Sequence, residues 1–141
     1  MRAADAKIKY IGRTIADDNG TIWCALSGSG VEFTYRGASL DVVLAGDDLT
    51  KLETQQYEKI KTQQDVDYAR IAVYVNNERI IDERLEVTQK TYCVWRSEKP
   101  QEITVRIVKL SEAPHSIVGI QEFVMADTDV ISPTPDKPLK L

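Results

Sequence analysis

Apolar and polar residues alternate with a period of two through most of this chain. That period fits only extended strands whose two faces meet different surroundings. Val31, Phe33 and Tyr35 fall on one face, and Glu32, Thr34 and Arg36 on the other. Leu40, Val42 and Leu44 repeat the pattern after Gly37-Ala38-Ser39, which reads as a turn. Ile71, Val73 and Val75 follow, then Asn76-Asn77, a pair that tolerates positive φ and predicts a tight hairpin into residues 79–85. Further strands are expected at 8–11, 22–26, 91–96, 103–107 and 117–126. Short strands separated by turn residues, in a chain of 141 residues, predict one all-β sandwich.

Two segments break the alternation. Residues 48–64 are rich in Gln, Lys and Glu, with Leu49, Leu52, Gln56 and Ile60 at helical spacing and Asp48 placed to cap a helix. A long solvated loop with a single helical turn fits the segment as well. Near the end, Ser132-Pro133-Thr134-Pro135-Asp136-Lys137-Pro138 holds three of the five prolines and reads as extended linker. The expected division is a disordered tail at 1–7, the sandwich at 8–127 and a Pro-rich linker at 128–141, with few contacts to the sandwich from Asp129 onward. Leu139-Lys140-Leu141 resumes alternation and is expected to open a strand of a further domain.

Hydrophobic residues make up 43% of the chain and charged residues 28%, ordinary for a globular domain. A net charge of −4 without clustered Lys and Arg argues against a nucleic-acid partner. No apolar run approaches the ~20 residues of a membrane span, so no membrane partner is expected. The opening Met1-Arg2-Ala3-Ala4-Asp5 lacks the apolar core of a secretory signal. The expectation is an intracellular chain or a piece of a longer, secreted bacterial precursor.

Nucleophilic catalysis needs a base beside the nucleophile. The one histidine, His115, lies in a turn between strand candidates, and Ser27 and Ser29 sit in a Gly-rich turn with nothing to activate them. Neither a Gly-x-Ser-x-Gly elbow nor a Gly-Asp-Ser block occurs, so no catalytic residue is expected. Asp17-Asp18-Asn19-Gly20 and Gly46-Asp47-Asp48 are oxygen-rich, but Asx and Gly turns explain both without calcium, and neither a metal nor any other cofactor is expected. Cys24 and Cys93 have no ligand spacing; a disulfide and two buried free thiols both fit, the second better. Carbohydrate binding uses exposed aromatic rings, and Trp23 and Trp95 are the candidates. Alternation sets Trp23 opposite Ile22, Cys24 and Leu26, facing outward or toward a partner domain. The competing reading is that these rings fill a core or an interface.

The block Ser27-Gly28-Ser29-Gly30-Val31-Glu32-Phe33-Thr34-Tyr35-Arg36-Gly37, with Gly12-Arg13-Thr14 and Trp23 upstream, resembles the opening of the amino-terminal jelly roll of carbohydrate esterase family 2. Arg70-Ile71-Ala72-Val73-Tyr74-Val75-Asn76-Asn77-Glu78 is similar to the central hairpin of that domain, and residues 103–113 to its penultimate strand, with Leu110-Ser111 as a departure. The order and spacing of these segments carry the resemblance, which runs from residue 8 to 141. It implies a jelly-roll β-sandwich resembling a carbohydrate-binding module. In the family, a Pro-rich linker leads into an SGNH-type hydrolase domain whose Gly-Asp-Ser nucleophile block would follow Leu141. This chain would then be the non-catalytic domain of an acetyl esterase acting on plant polysaccharides such as xylan or mannan. Its partners would be the hydrolase domain and, with it, acetylated polysaccharide. The alternatives are a stand-alone carbohydrate-binding module and an interaction domain without a ligand.

Overall fold

A computed structural model describes residues 1–24, 27–46, 69–85, 89–110 and 117–134. The segment 48–64, His115 and the tail from Pro135 lie outside the described residues. After a 3₁₀ turn at Ala3–Asp5, the described strands are β1 (Lys9–Ile11), β2 (Thr14–Ala16), β3 (Ile22–Cys24), β4 (Gly30–Ala45), β5 (Arg70–Val75), β6 (Glu78–Arg84), β7 (Gln89–Lys109), β8 (Val118–Val124) and β9 (Val130–Ser132). They form one antiparallel ladder in the order β2-β3-β8-β4-β7-β5-β6, with β1 and β9 also paired to β4.

The ladder becomes a sandwich because β4 and β7 serve both layers. The first half of β4 pairs with the second half of β7 from Gly30↔Val108 to Gly37↔Gln101, and its second half with the start of β7 from Ser39↔Arg96 to Ala45↔Gln89. The register shifts at Gly37/Ser39 and again at Leu40/Asp41. Sequence alternation placed a turn at 37–39, but the strand instead bulges and continues. A bulge bends a strand without ending it. On β7 the extra residues of this corner include Pro100, whose missing N–H costs nothing where no ladder bond is made.

The corner is held by Tyr35, which is fully buried. Its hydroxyl lies 2.6 Å from the Ser39 carbonyl and 2.5 Å from Asp129 Oδ2, and accepts the Ser39 N–H at 3.1 Å. The phenol has one proton for its two acceptors, so it donates to one at a time. Gly37 fits beneath this knot for lack of a side chain, since a Cβ there would stand 2.2 Å from the Tyr35 hydroxyl.

Inward residues follow the alternation. Val31, Phe33, Tyr35, Leu40, Val42 and Leu44 of β4 all have no exposed surface, and they join Ile71, Val73, Val105, Ile120 and Phe123 in one core. Phe33 and Phe123 meet edge to face across the layers, 5.0 Å between centroids. The Asn76-Asn77 hairpin forms as expected, with φ of 50° and 69° joining β5 to β6.

Three further expectations are corrected. Residues 1–7 are not a loose tail. Ala3 is fully buried, the Met1 carbonyl accepts the Phe123 N–H at 2.9 Å, and Arg2 bridges to Glu122. Small alanines let this segment lie close against β8. Nor does the domain end at 127. Val130–Ser132 extends the sheet by pairing with Thr34–Arg36, Ile131 is buried and Asp129 binds Tyr35. β1 occupies only Gly30–Glu32 of that β4 edge, so β9 has an open row of backbone groups to satisfy. Both cysteines are free, but only Cys24 is buried; Cys93 pairs across the ladder with Asp41 on an outward face and is exposed. Outside the core, Asp82 pairs with Arg70 at 2.7 Å and with Arg79 at 2.9 Å, and Glu83 with Lys90 at 2.5 Å.

Candidate functional site

β3 is three residues long, and its flanking Ile22 and Cys24 turn into the core. Trp23 therefore stands on the outer face, half-buried, where alternation put it. Its neighbours follow from register. Ile15 pairs with Trp23, Trp23 with Gly119, Gly119 with Ala45 and Ala45 with Gln89. Cross-strand partners share a face, so this row crosses five strands with an exposed Ile15 at one end and an amide at the other. Gly119 is required beneath the indole, because a Cβ there would stand 2.8 Å from Trp23 Cζ3 and 2.8 Å from Thr21 Cγ2.

The indole is also fixed at its polar edge. Trp23 Nε1–H donates to Asp17 Oδ2 at 2.9 Å. The other carboxylate oxygen of Asp17 accepts the backbone N–H groups of Asn19 and Thr21 at 2.9 and 3.0 Å. This is the side-chain-to-backbone closure of an Asx turn, and Gly20 completes it with a φ of 82°. The Trp23 hydrogen bond, aided by that of Thr21, holds the Asp17 carboxyl below its usual range of 3.8. The oxygen-rich run around Asp17 thus orients an aromatic ring. A cavity of about 370 Å³ opens beside the indole, lined by Arg2, Asp17, Asn19, Thr21, Gln121 and Glu122 along with Trp23. Gln121 accepts a hydrogen bond from Gln89 at 2.6 Å.

Trp95 is placed differently. It packs partly against the core, and its Nε1–H donates to Ser97 Oγ at 3.1 Å. It lines a separate groove of about 320 Å³ between the β5–β6 hairpin and β7, with Ile80, Cys93 and Arg96. The two tryptophans therefore do not share a site. Arg96 beside it is paired with Asp41 at 2.7 Å.

Residue spacing alone gave no sign of Gly119, Arg2 or Gln121 at the Trp23 site, because register brings them there. Asp17 had a signal, since a carboxylate opening an Asx-Gly turn commonly faces the strand that follows. Elsewhere, burial pushes the Cys24 thiol up to about 11, against smaller opposing effects of the Ser29 hydrogen bond and Lys109. Lys109 itself is fully buried, which alternation did not foresee. Ser27 donates to the Leu110 carbonyl at 3.0 Å, a structural engagement. Among the described residues, no group of His, Cys, Asp and Glu is arranged to hold a metal ion, and no helix is long and apolar enough to cross a membrane.

The fold is that of an antiparallel jelly-roll sandwich, an architecture it has in common with carbohydrate-binding modules. The 36-type carbohydrate-binding module of a multidomain xylanase, from the hindgut metagenome of Trinervitermes trinervoides, matches this fold with a TM-score of 0.52 at 12% identity, over 92% of this chain and 93% of that one. The particular family is narrower: the carbohydrate esterase 2 N-terminal model matches residues 10–135, and the chain belongs to that family. A family two carbohydrate esterase from Cellvibrio japonicus matches with a TM-score of 0.70 at 18% identity, over 98% of this chain and 36% of that one. An acetyl xylan esterase from the rumen bacterium Butyrivibrio proteoclasticus gives 0.72 at 20% identity, over 96% and 33%. The chain thus spans about a third of the length of these esterases. No curated protein sequence matches it.

Proposed function

We propose that this chain is the non-catalytic β-sandwich domain of a carbohydrate acetyl esterase that deacetylates plant polysaccharides such as xylan or mannan. Its role is to pack against an SGNH-type hydrolase domain and help present the glycan. The observation that carries this reading is the family match over residues 10–135, in a chain that corresponds to a third of each esterase. Within the domain, Trp23 is the better candidate contact to sugar, because it stands outside the core beside a cavity, whereas Trp95 is partly built into the core.

The test compares two proteins. The isolated 141-residue chain is expected to leave 4-nitrophenyl acetate at background, and the protein that carries it is expected to release acetate from acetylated xylan or glucomannan. Turnover by the isolated chain that disappears on mutating one residue would overturn the non-catalytic assignment. A carrier protein with no deacetylase activity would favour the stand-alone carbohydrate-binding module. The likeness to a xylanase's binding module supports that second reading.

A further inference from the structure

The row Ile15–Trp23–Gly119–Ala45–Gln89 contains no charged residue, and since Gly119 and Ala45 are buried, the Trp23 indole is the ring it presents. At about 4.8 Å per strand, three ladder steps separate Trp23 from Gln89 by about 14 Å. The indole lies over Gly119, locked on one edge by a carboxylate that already accepts hydrogen bonds from Trp23, Asn19 and Thr21. Next to it lies a cavity of about 370 Å³ lined by Gln121, whose amide oxygen accepts a hydrogen bond from the more distant Gln89. We propose that this face is a glycan subsite: the Trp23 indole stacks on the C–H face of an uncharged pyranose unit, and the cavity beside it, with Gln121 and Asn19, receives that unit's hydroxyls. The inference rests on the reading of the chain as a polysaccharide-handling domain and gives that reading a location.

The surroundings select this occupant over others. A phosphate or sulfate would meet two carboxylates, Asp17 and Glu122, against the single cation Arg2. A docked protein would favour a continuous apolar patch, and here the exposed Ile15 and the indole are rimmed by polar and charged groups, Arg2, Asp17, Asn19, Gln121 and Glu122. A neutral polyhydroxyl ring presents an apolar face and a polar rim together, which matches an aromatic plate flanked by hydrogen-bonding amides. Asp17 is a positioning residue: it holds the plate at a fixed angle, so little side-chain entropy is lost on stacking.

Titration of the isolated chain with xylohexaose, mannohexaose and cellohexaose at millimolar concentration tests the site, followed by the indole N–H resonances in ¹H–¹⁵N spectra. Loss of one resonance in Trp23→Phe assigns it, and the Trp95 indole is the internal control. A saturable shift of the Trp23 resonance is expected with at least one probe, with the Trp95 resonance unmoved. Affinity should fall about tenfold or more in Trp23→Ala and measurably in Gln121→Ala. Because Trp23 lies outside the core, both variants should keep the parent far-ultraviolet spectrum; if Trp23→Ala does not, the wild-type shift and Gln121→Ala decide. No Trp23 shift with any probe, or binding that neither variant weakens, would overturn the site. Either result would leave the deacetylase reading intact if the carrier protein still releases acetate. Binding here by a chain whose carrier lacks deacetylase activity would keep the subsite and remove that reading.

Discussion

Asp17 ties a turn to a ring, and its ionisation sets a condition on the site. A carboxyl held below 3.8 contributes stability above that unfolded value and loses it as pH falls through the lower folded one. The Trp23 emission spectrum should therefore be constant at mildly acidic pH and change only below about 3.8, and Asp17→Ala should show the acid form at neutral pH. At alkaline pH the balance reverses. Burial pushes Cys24 up to about 11, and pushes Tyr35 and Tyr92 up to about 12, with the Asp129 hydrogen bond and the Glu83 charge adding to the two phenols. Each stays protonated in the fold while the unfolded chain ionises from about 9 to 10. Stability from these groups is complete below those values and drains away as pH rises through about 11 to 12. Urea midpoints measured across this range should stay level and then decline. Two glycines give a graded pair of tests. At Gly30 a Cβ would stand 1.9 Å from the Ile107 carbonyl oxygen, an atom of the ladder itself, so Gly30→Ala should cost about 3 kcal/mol or more. At Gly119 the obstacle includes the movable Trp23 side chain, and Gly119→Ala should cost less, about 1 kcal/mol, while displacing the indole.

At the scale of elements, the short strands at the two ends of the chain matter more than their length suggests. β1 and β9 together cover the free edge of the first half of β4, and an uncovered edge of that length invites pairing with other chains. Ile131→Ala should destabilise the domain by about 2 kcal/mol. Amides in β9 should exchange slowly in the dilute isolated chain, the opposite of what a linker beginning at 128 would show. Tyr35→Phe removes the hydroxyl that holds Ser39 and Asp129 together and should cost about 1–3 kcal/mol, read as a lower urea midpoint with unchanged slope. Deleting residues 1–7 should also lower the midpoint, because Ala3 and the Met1–Phe123 hydrogen bond are lost from the side of β8.

The whole molecule is a sandwich in which two long strands, β4 and β7, bend through both layers, so most of its stabilising contacts join residues distant in sequence. Such topologies fold in milliseconds to seconds, slower than helical bundles of the same size. Much of this was legible from residues alone. Alternation in 31–36 and 40–44 told which side chains enter the core, Asn76-Asn77 located the hairpin, and the order of segments pointed to the family. These are local properties: a strand's two faces follow from its period of two, and a turn from the φ its residues tolerate. What alternation could not tell was whether 37–39 ended a strand or bent one, since that depends on Tyr35 reaching Ser39 and Asp129. Proline content made residues 128–141 read as linker, yet the vacant edge of β4 recruits Val130–Ser132. The outward position of Trp23 was a sequence property. Its fixed angle, its glycine floor and its row of neutral neighbours belong to the tertiary structure, because hydrogen-bond register among β2, β3, β8, β4 and β7 brings together residues separated along the chain by up to about a hundred positions.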